Sequence, residues 1–114
     1  VGLHAVRASG LRAGQRVLIT GAGPIGLAVA LWARFIGASD IVVSEPAVQR
    51  RDLALSMGAT AVMQPGTDLA QQYAEIAGGP PEVLFECVGA PGLIEQFIDI
   101  APRRGPTGPC ATNC

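Results

Sequence analysis

The sequence predicts an α/β fold, a doubly wound parallel sheet of about four strands with flanking helices. Three observations predict it. Short β-branched apolar runs recur along the chain, segments of helical periodicity separate them, and a glycine turn joins the first run to the first helix. Strands alternating with helices of about ten residues require right-handed crossovers, hence a parallel sheet covered on both faces.

Val17-Leu18-Ile19-Thr20 forms the first strand, and Val1 to Ser9 reads as a helix preceding it. Gly21-Ala22-Gly23-Pro24-Ile25-Gly26 is the turn. Gly21 allows the sharp exit from the strand, Gly23 lets backbone approach a diphosphate, and Gly26 lets the helix lie close to the sheet. Pro24 suits the first helical position, where an N–H is not needed. Ile25, Ala28, Val29, Trp32, Phe35 and Ile36 share one helical face and are the expected contact with the sheet, and Gly37 ends the helix. Val17 to Ala33 is uncharged over 17 residues, too short and too interrupted to span a membrane.

Ile41-Val42-Val43 is the second strand, and Glu45 follows it 19 residues beyond Gly26. A carboxylate there accepts hydrogen bonds from ribose hydroxyls and repels a 2′-phosphate, so the expected cofactor is NAD rather than NADP. Arg50 and Arg51 oppose that preference, since a nearby arginine accommodates the extra phosphate. The alternative role for Glu45 is an acid stabilised by a helix dipole.

A helix from Pro46 to Met57, a strand over Thr60–Met63, a helix from Thr67-Asp68 to about Ala77, a strand over Glu82–Val88 and a helix from Pro91 to Ile100 complete the pattern. The interval 1–100 is therefore read as a partial dinucleotide-binding domain. After Ala101 the composition changes. Pro106 and Pro109 with Gly108 make a poor central strand, so 101–114 is expected to be an irregular tail. Eight arginines and no lysine suit a GC-rich gene, in which a frameshift would yield such a tail; the alternative is a natural disordered tail.

The 114 residues hold one core. A net charge of −1 with eight scattered basic residues gives no patch for nucleic acid or an anionic membrane. Three cysteines, an odd count, argue against a disulfide framework and for a reducing cytoplasm. Cys110 and Cys114 have no partner pair and His4 is the single histidine, so no metal site is expected. Cys87 lacks a base and reads as a structural thiol. Tyr73 reads as a helix-face aromatic.

From His4 to about Ile100, roughly 85 per cent of the chain, the sequence resembles the cofactor-binding (Rossmann) domain of the zinc-type medium-chain alcohol and polyol dehydrogenases. The matching segments are Leu3-His4-Ala5-Val6-Arg7, Gly14 to Ile19, Gly21 to Gly26, Gly37-Ala38, Val43 to Pro46, Arg50, Gly58-Ala59-Thr60 and Phe85 to Gly89. Ser44-Glu45-Pro46 before the paired arginines is most similar to the secondary-alcohol and vicinal-diol branch, such as butanediol and threonine dehydrogenases.

The resemblance implies that Gly21, Gly23, Pro24, Ile25 and Gly26 hold the pyrophosphate, Glu45 the ribose, and Arg50 the adenine. It implies that Cys87, Val88 and Gly89 lie toward the nicotinamide. The family's zinc ligands and proton relay come from a barrel-like domain that is not before Val1, and its last strands, which build homo-oligomers, do not follow. The chain is thus expected to be truncated at both ends, binding cofactor without turnover while the whole enzyme oxidises a secondary alcohol or polyol. The alternatives are a stand-alone nucleotide-binding module and a non-functional fragment with an unpaired sheet edge.

Overall fold

The structure, a computed structural model, describes residues 6, 7, 9–66 and 68–87 and the backbone of 110–113. Strand β1 (Arg16–Thr20) leads into helix α1 (Pro24–Ile36), β2 (Asp40–Ser44), α2 (Val48–Ser56), β3 (Ala61–Met63), α3 (Leu69–Ala77), β4 (Val83–Glu86) and β5 (Cys110–Asn113). All described strands are parallel, in the order β3-β2-β1-β4-β5. The chain builds outward from β1 through β2 to β3, then returns to the other side of β1 for β4. That reversal leaves a crevice at the carboxyl ends of β1 and β4, the place where open α/β sheets bind ligands.

Alternate side chains along the three central strands point to opposite faces, as the period of two demands. Val17, Ile19, Ile41, Val43, Val83 and Phe85 pack with Val29, Ala30 and Ala33 of α1 and Ala54 of α2. Leu18, Val42 and Leu84 pack on the other face with Met63 and Tyr73. Burial on both faces is why these strands are continuously apolar rather than alternating.

Two expectations are corrected by the packing. The buried face of α1 is Gly26, Val29, Ala30 and Ala33, not the stripe through Phe35. Phe35 is 80% exposed and stacks edge-on against Trp32 with ring centroids 5.7 Å apart. The true face is rotated from the expected one by about one residue, or ~100°. Small side chains win the contact because they let the helix axis approach the sheet, and bulky ones are turned to the flanks. Tyr73 is fully buried, and its hydroxyl donates to the Val17 carbonyl at 3.0 Å, tying α3 to the sheet. Burial raises its pKa above the usual phenol value, the Asp40 carboxylate adding to the effect.

The third correction concerns the tail. Cys110–Asn113 is a strand, pairing with Val83–Glu86 residue for residue, so 101–114 is not irregular throughout. The strand starts immediately after Pro109, and so contains neither proline that argued against it. Pairing satisfies backbone groups along the outer side of β4 that would otherwise lie open. The sheet therefore has five strands where about four were expected. The expected helix over 91–100 lies outside the described residues, as does most of the expected helix over 1–9.

Candidate cofactor site

Four backbone segments meet at the crevice: the turn after β1, the start of α1, the turn after β2 and the end of β4. Gly21 takes φ 96°, a left-handed conformation that bends the chain out of β1, and its N–H donates to the Ser44 carbonyl at 2.8 Å. Gly26 lies where α1 crosses this bend. A Cβ there would collide with the Gly21 carbonyl oxygen and stand 3.7 Å from the Cβ of Cys87. The absence of a side chain at Gly26 is thus demanded by the fold itself.

Gly23 differs. Its φ of −75° and ψ of −177° suit any residue, and among the described residues nothing lies within 4 Å of where a Cβ would be. No described residue crowds that position. Gly23 caps α1 without a side-chain hydrogen bond, and the first turn of α1 has no acidic residue. Helix α3 contrasts with it, since Asp68 caps that helix by accepting from the Gln71 N–H at 3.2 Å. The N–H groups opening α1 are left for a partner of negative charge. Pro24 occupies the first position of α1 as expected, and Ile25 is 39% exposed at the same end.

Glu45 is 4% exposed, and both carboxylate oxygens are engaged. Oε1 accepts from the Ala22 N–H at 2.8 Å and Oε2 from the Ala47 N–H at 2.9 Å. One side chain thus bridges the glycine turn and the start of α2, which begins at Val48 rather than at the expected Pro46. Burial works to raise the Glu45 pKa. The amides of Ala47 and Ala22 and the charges of Arg50 and Arg51 outweigh it, holding the carboxyl below its ordinary value of 4.5. The carboxylate stays ionised, and its remaining lone pairs can accept further hydrogen bonds.

The two arginines separate in role. Arg50 is exposed on α2. Arg51 is half-buried, and its Nη1 donates to the carbonyls of Glu45 at 2.7 Å and Pro46 at 2.9 Å. The sequence marked Arg51 only as a possible phosphate ligand; a bond to its own chain six residues back carries no pattern by which a sequence could reveal it.

At the end of β4 the Cys87 N–H donates to the Thr20 carbonyl at 2.9 Å, which places Cys87 beside the glycine turn. Cys87 is disulfide-bonded, against the expectation of a free structural thiol. Val88 and Gly89 lie outside the described residues. Sequence reasoning missed two further buried polar residues at these strand ends. Glu86 is 4% exposed, and Thr20 Oγ1 is buried with no hydrogen-bond partner among the described residues.

Gly21, Gly23, Pro24, Gly26, Glu45 and Cys87 are therefore brought to one end of the sheet, with Ile25 and Arg50 at its rim. The open space at Gly23, the uncapped start of α1 and the ionised Glu45 fit a dinucleotide. Zinc is different. Among the described residues no three His, Cys, Asp or Glu side chains are grouped to hold a metal ion, so these residues do not supply a zinc site. Nor, among them, is any helix long and apolar enough to cross a membrane.

Comparison with known proteins followed the same lines. The family model described as zinc-binding dehydrogenase matches residues 24–112. Sorbitol dehydrogenase of Macaca fascicularis is 40% identical over 111 residues, 94% of this chain and 31% of that protein. The crystal structure of 2R,3R-butanediol dehydrogenase from Bacillus subtilis superposes with a TM-score of 0.79 at 37% identity, over 89% of this chain and 29% of that one. A zinc-binding dehydrogenase from Sinorhizobium meliloti, bound to NADP, gives 0.78 at 34% identity, over 90% of this chain and 31% of its own. The chain spans about 30% of the length of such relatives.

Proposed function

The chain belongs to the zinc-binding dehydrogenase family, and we propose that its part in that chemistry is to hold NAD. The observation that carries the proposal is Glu45, an ionised carboxylate fixed between the glycine turn and the start of α2 at the carboxyl edge of the sheet. The free amides opening α1 would receive the pyrophosphate, with Gly23 giving it room. Glu45 would accept from the adenosine ribose, and its charge disfavours a 2′-phosphate, hence NAD over NADP. Arg50 would lie against the adenine, and the Cys87 end of β4 would face the nicotinamide.

When bound, the nicotinamide supplies hydride acceptance; the residues described here bind and orient it. The whole protein would transfer hydride between a secondary alcohol or diol and NAD. The chain by itself is expected to bind cofactor without turnover, since it groups no metal ligands among its described residues.

A thermal melt with and without millimolar NAD or NADP tests the proposal. Ligand at a hundred times its Kd adds about 2.7 kcal/mol. A rise with NAD that NADP does not match supports it; equal indifference to both removes it.

A further inference from the structure

Arg51 sits where the Glu45 carboxylate attracts a cation and the dipole of its own helix repels one. It lies one turn into α2, four residues after the capping Ala47, and its guanidinium reaches back toward the helix N-terminus. The helix dipole makes that end positive, so a cation there works against it. Two charge-assisted hydrogen bonds, to the carbonyls of Glu45 and Pro46, offset the penalty. Residues that break a local rule in favour of a specific geometry concentrate at functional sites.

The geometry serves Glu45. Its N–H donates to the Met63 carbonyl at 3.0 Å, its carbonyl accepts from Arg51, and its carboxylate accepts from Ala22 and Ala47. Each polar group of the residue is thus held, and two of the four bonds are on the carboxylate itself. Release of the carbonyls at Glu45 and Pro46 would free the turn that carries Ala47, and with it one of the two amides on the carboxylate. Arg50, one residue earlier, is exposed and forms no hydrogen bond with a described residue. The adjacent arginines therefore do different work.

We infer that Arg51 is a positioning residue for cofactor selectivity: by clasping the backbone of the turn after β2, it keeps the Glu45 carboxylate fixed where it excludes a ribose 2′-phosphate. The inference rests on the NAD reading above. It gives Arg51 the opposite effect on NADP from the one its charge suggests. A free arginine beside the ribose would attract the phosphate, whereas this one holds in place the group that repels it.

The test is the ratio of Kd for NADP to Kd for NAD, measured by calorimetry on the chain and on R51A and R51K. Loss of charge-assisted bonds should weaken NAD binding by R51A about tenfold. The ratio should fall by more than about threefold, because the carboxylate can then turn away from a phosphate. R51K, which retains a cationic donor, should recover part of the ratio. Equal weakening of both nucleotides in R51A means a merely structural role and overturns the inference. A ratio that rises in R51A means direct phosphate contact and also overturns it. If R51A does not fold, R51K decides: its ratio must lie below that of the parent chain, since an ammonium lacks the planar guanidinium that aims both N–H groups of Nη1 at the two carbonyls. A parent chain that binds neither nucleotide removes the NAD reading itself, and this inference with it.

Discussion

Gly23 and Gly26 stand three residues apart in one motif, and the structure assigns them different reasons for being glycine. Alanine at each position separates those reasons. At Gly23 a Cβ meets no described atom within 4 Å, and the backbone is already in a conformation open to any residue. Replacement narrows the unfolded ensemble, which is worth about 0.4–1 kcal/mol, but Gly23 is the N-cap of α1, where alanine is disfavoured relative to glycine by an amount of the same order. The two effects nearly cancel, so for a domain of this size Tm should move by less than roughly 3 °C. At Gly26 a Cβ runs into the Gly21 carbonyl, a backbone atom that cannot swing aside. Alanine gains about 1 kcal/mol in helix propensity but meets an overpacking cost of about 1–3 kcal/mol, so Tm should be unchanged or lowered. Both variants should lose NAD. In G23A the methyl group takes the space left for the phosphates, and losing one charge-assisted bond of about 1.5–3 kcal/mol lowers affinity roughly ten- to a hundredfold. The assay is a pair of melts, with and without NAD, on each variant. A folded G23A that keeps the full NAD-induced shift would refute the phosphate placement. A stabilised G26A would refute the close crossing of α1 over the glycine turn.

E45Q should weaken NAD binding and flatten the acid limb of the stability curve. The Glu45 pKa is depressed in the folded state, so its contribution is complete above the ordinary value of 4.5 and is lost as pH falls through the lower folded value. Urea titrations between pH 7 and 3 should show the parent and E45Q converging at the acid end; a constant gap would contradict the shift. Y73F should cost about 0.5–1.5 kcal/mol in urea unfolding, the net worth of the bond to the Val17 carbonyl, with NAD affinity unchanged. F35S should change stability by less than about 0.5 kcal/mol, whereas A33L should cost about 1–3 kcal/mol by overpacking. The reverse order would restore the helix face read from the sequence.

The sheet and its cofactor turn were legible because they rest on local chemistry. Period-two burial, β-branched composition, a proline at the first helical position and glycines at left-handed bends all act within a few residues, and β1 to β4 fell close to their expected places. Glu45 was legible as an acid at a set distance from the turn. Its embrace by Ala22 and Ala47 was not, because those amides are brought to it by strand pairing across β1 and β2. The orientation of α1 was misread for a related reason. Hydrophobicity marks a stripe, but the approach distance to the sheet selects Gly26, Ala30 and Ala33 over Trp32 and Phe35, and distance is a tertiary quantity.

By itself the sequence determined a parallel α/β sheet with a glycine turn opening a helix, and an acid nineteen residues on, since each follows from the conformational limits of the residues present. The tertiary structure decided the rest. It distinguished a glycine kept for the fold from one kept clear of any atom, gave Arg51 to the backbone and left Arg50 outside, and found a strand at Cys110–Asn113 where composition had argued for none. These depend on which groups from distant parts of the chain meet, and a hydrogen bond or a collision exists only once both partners are in place.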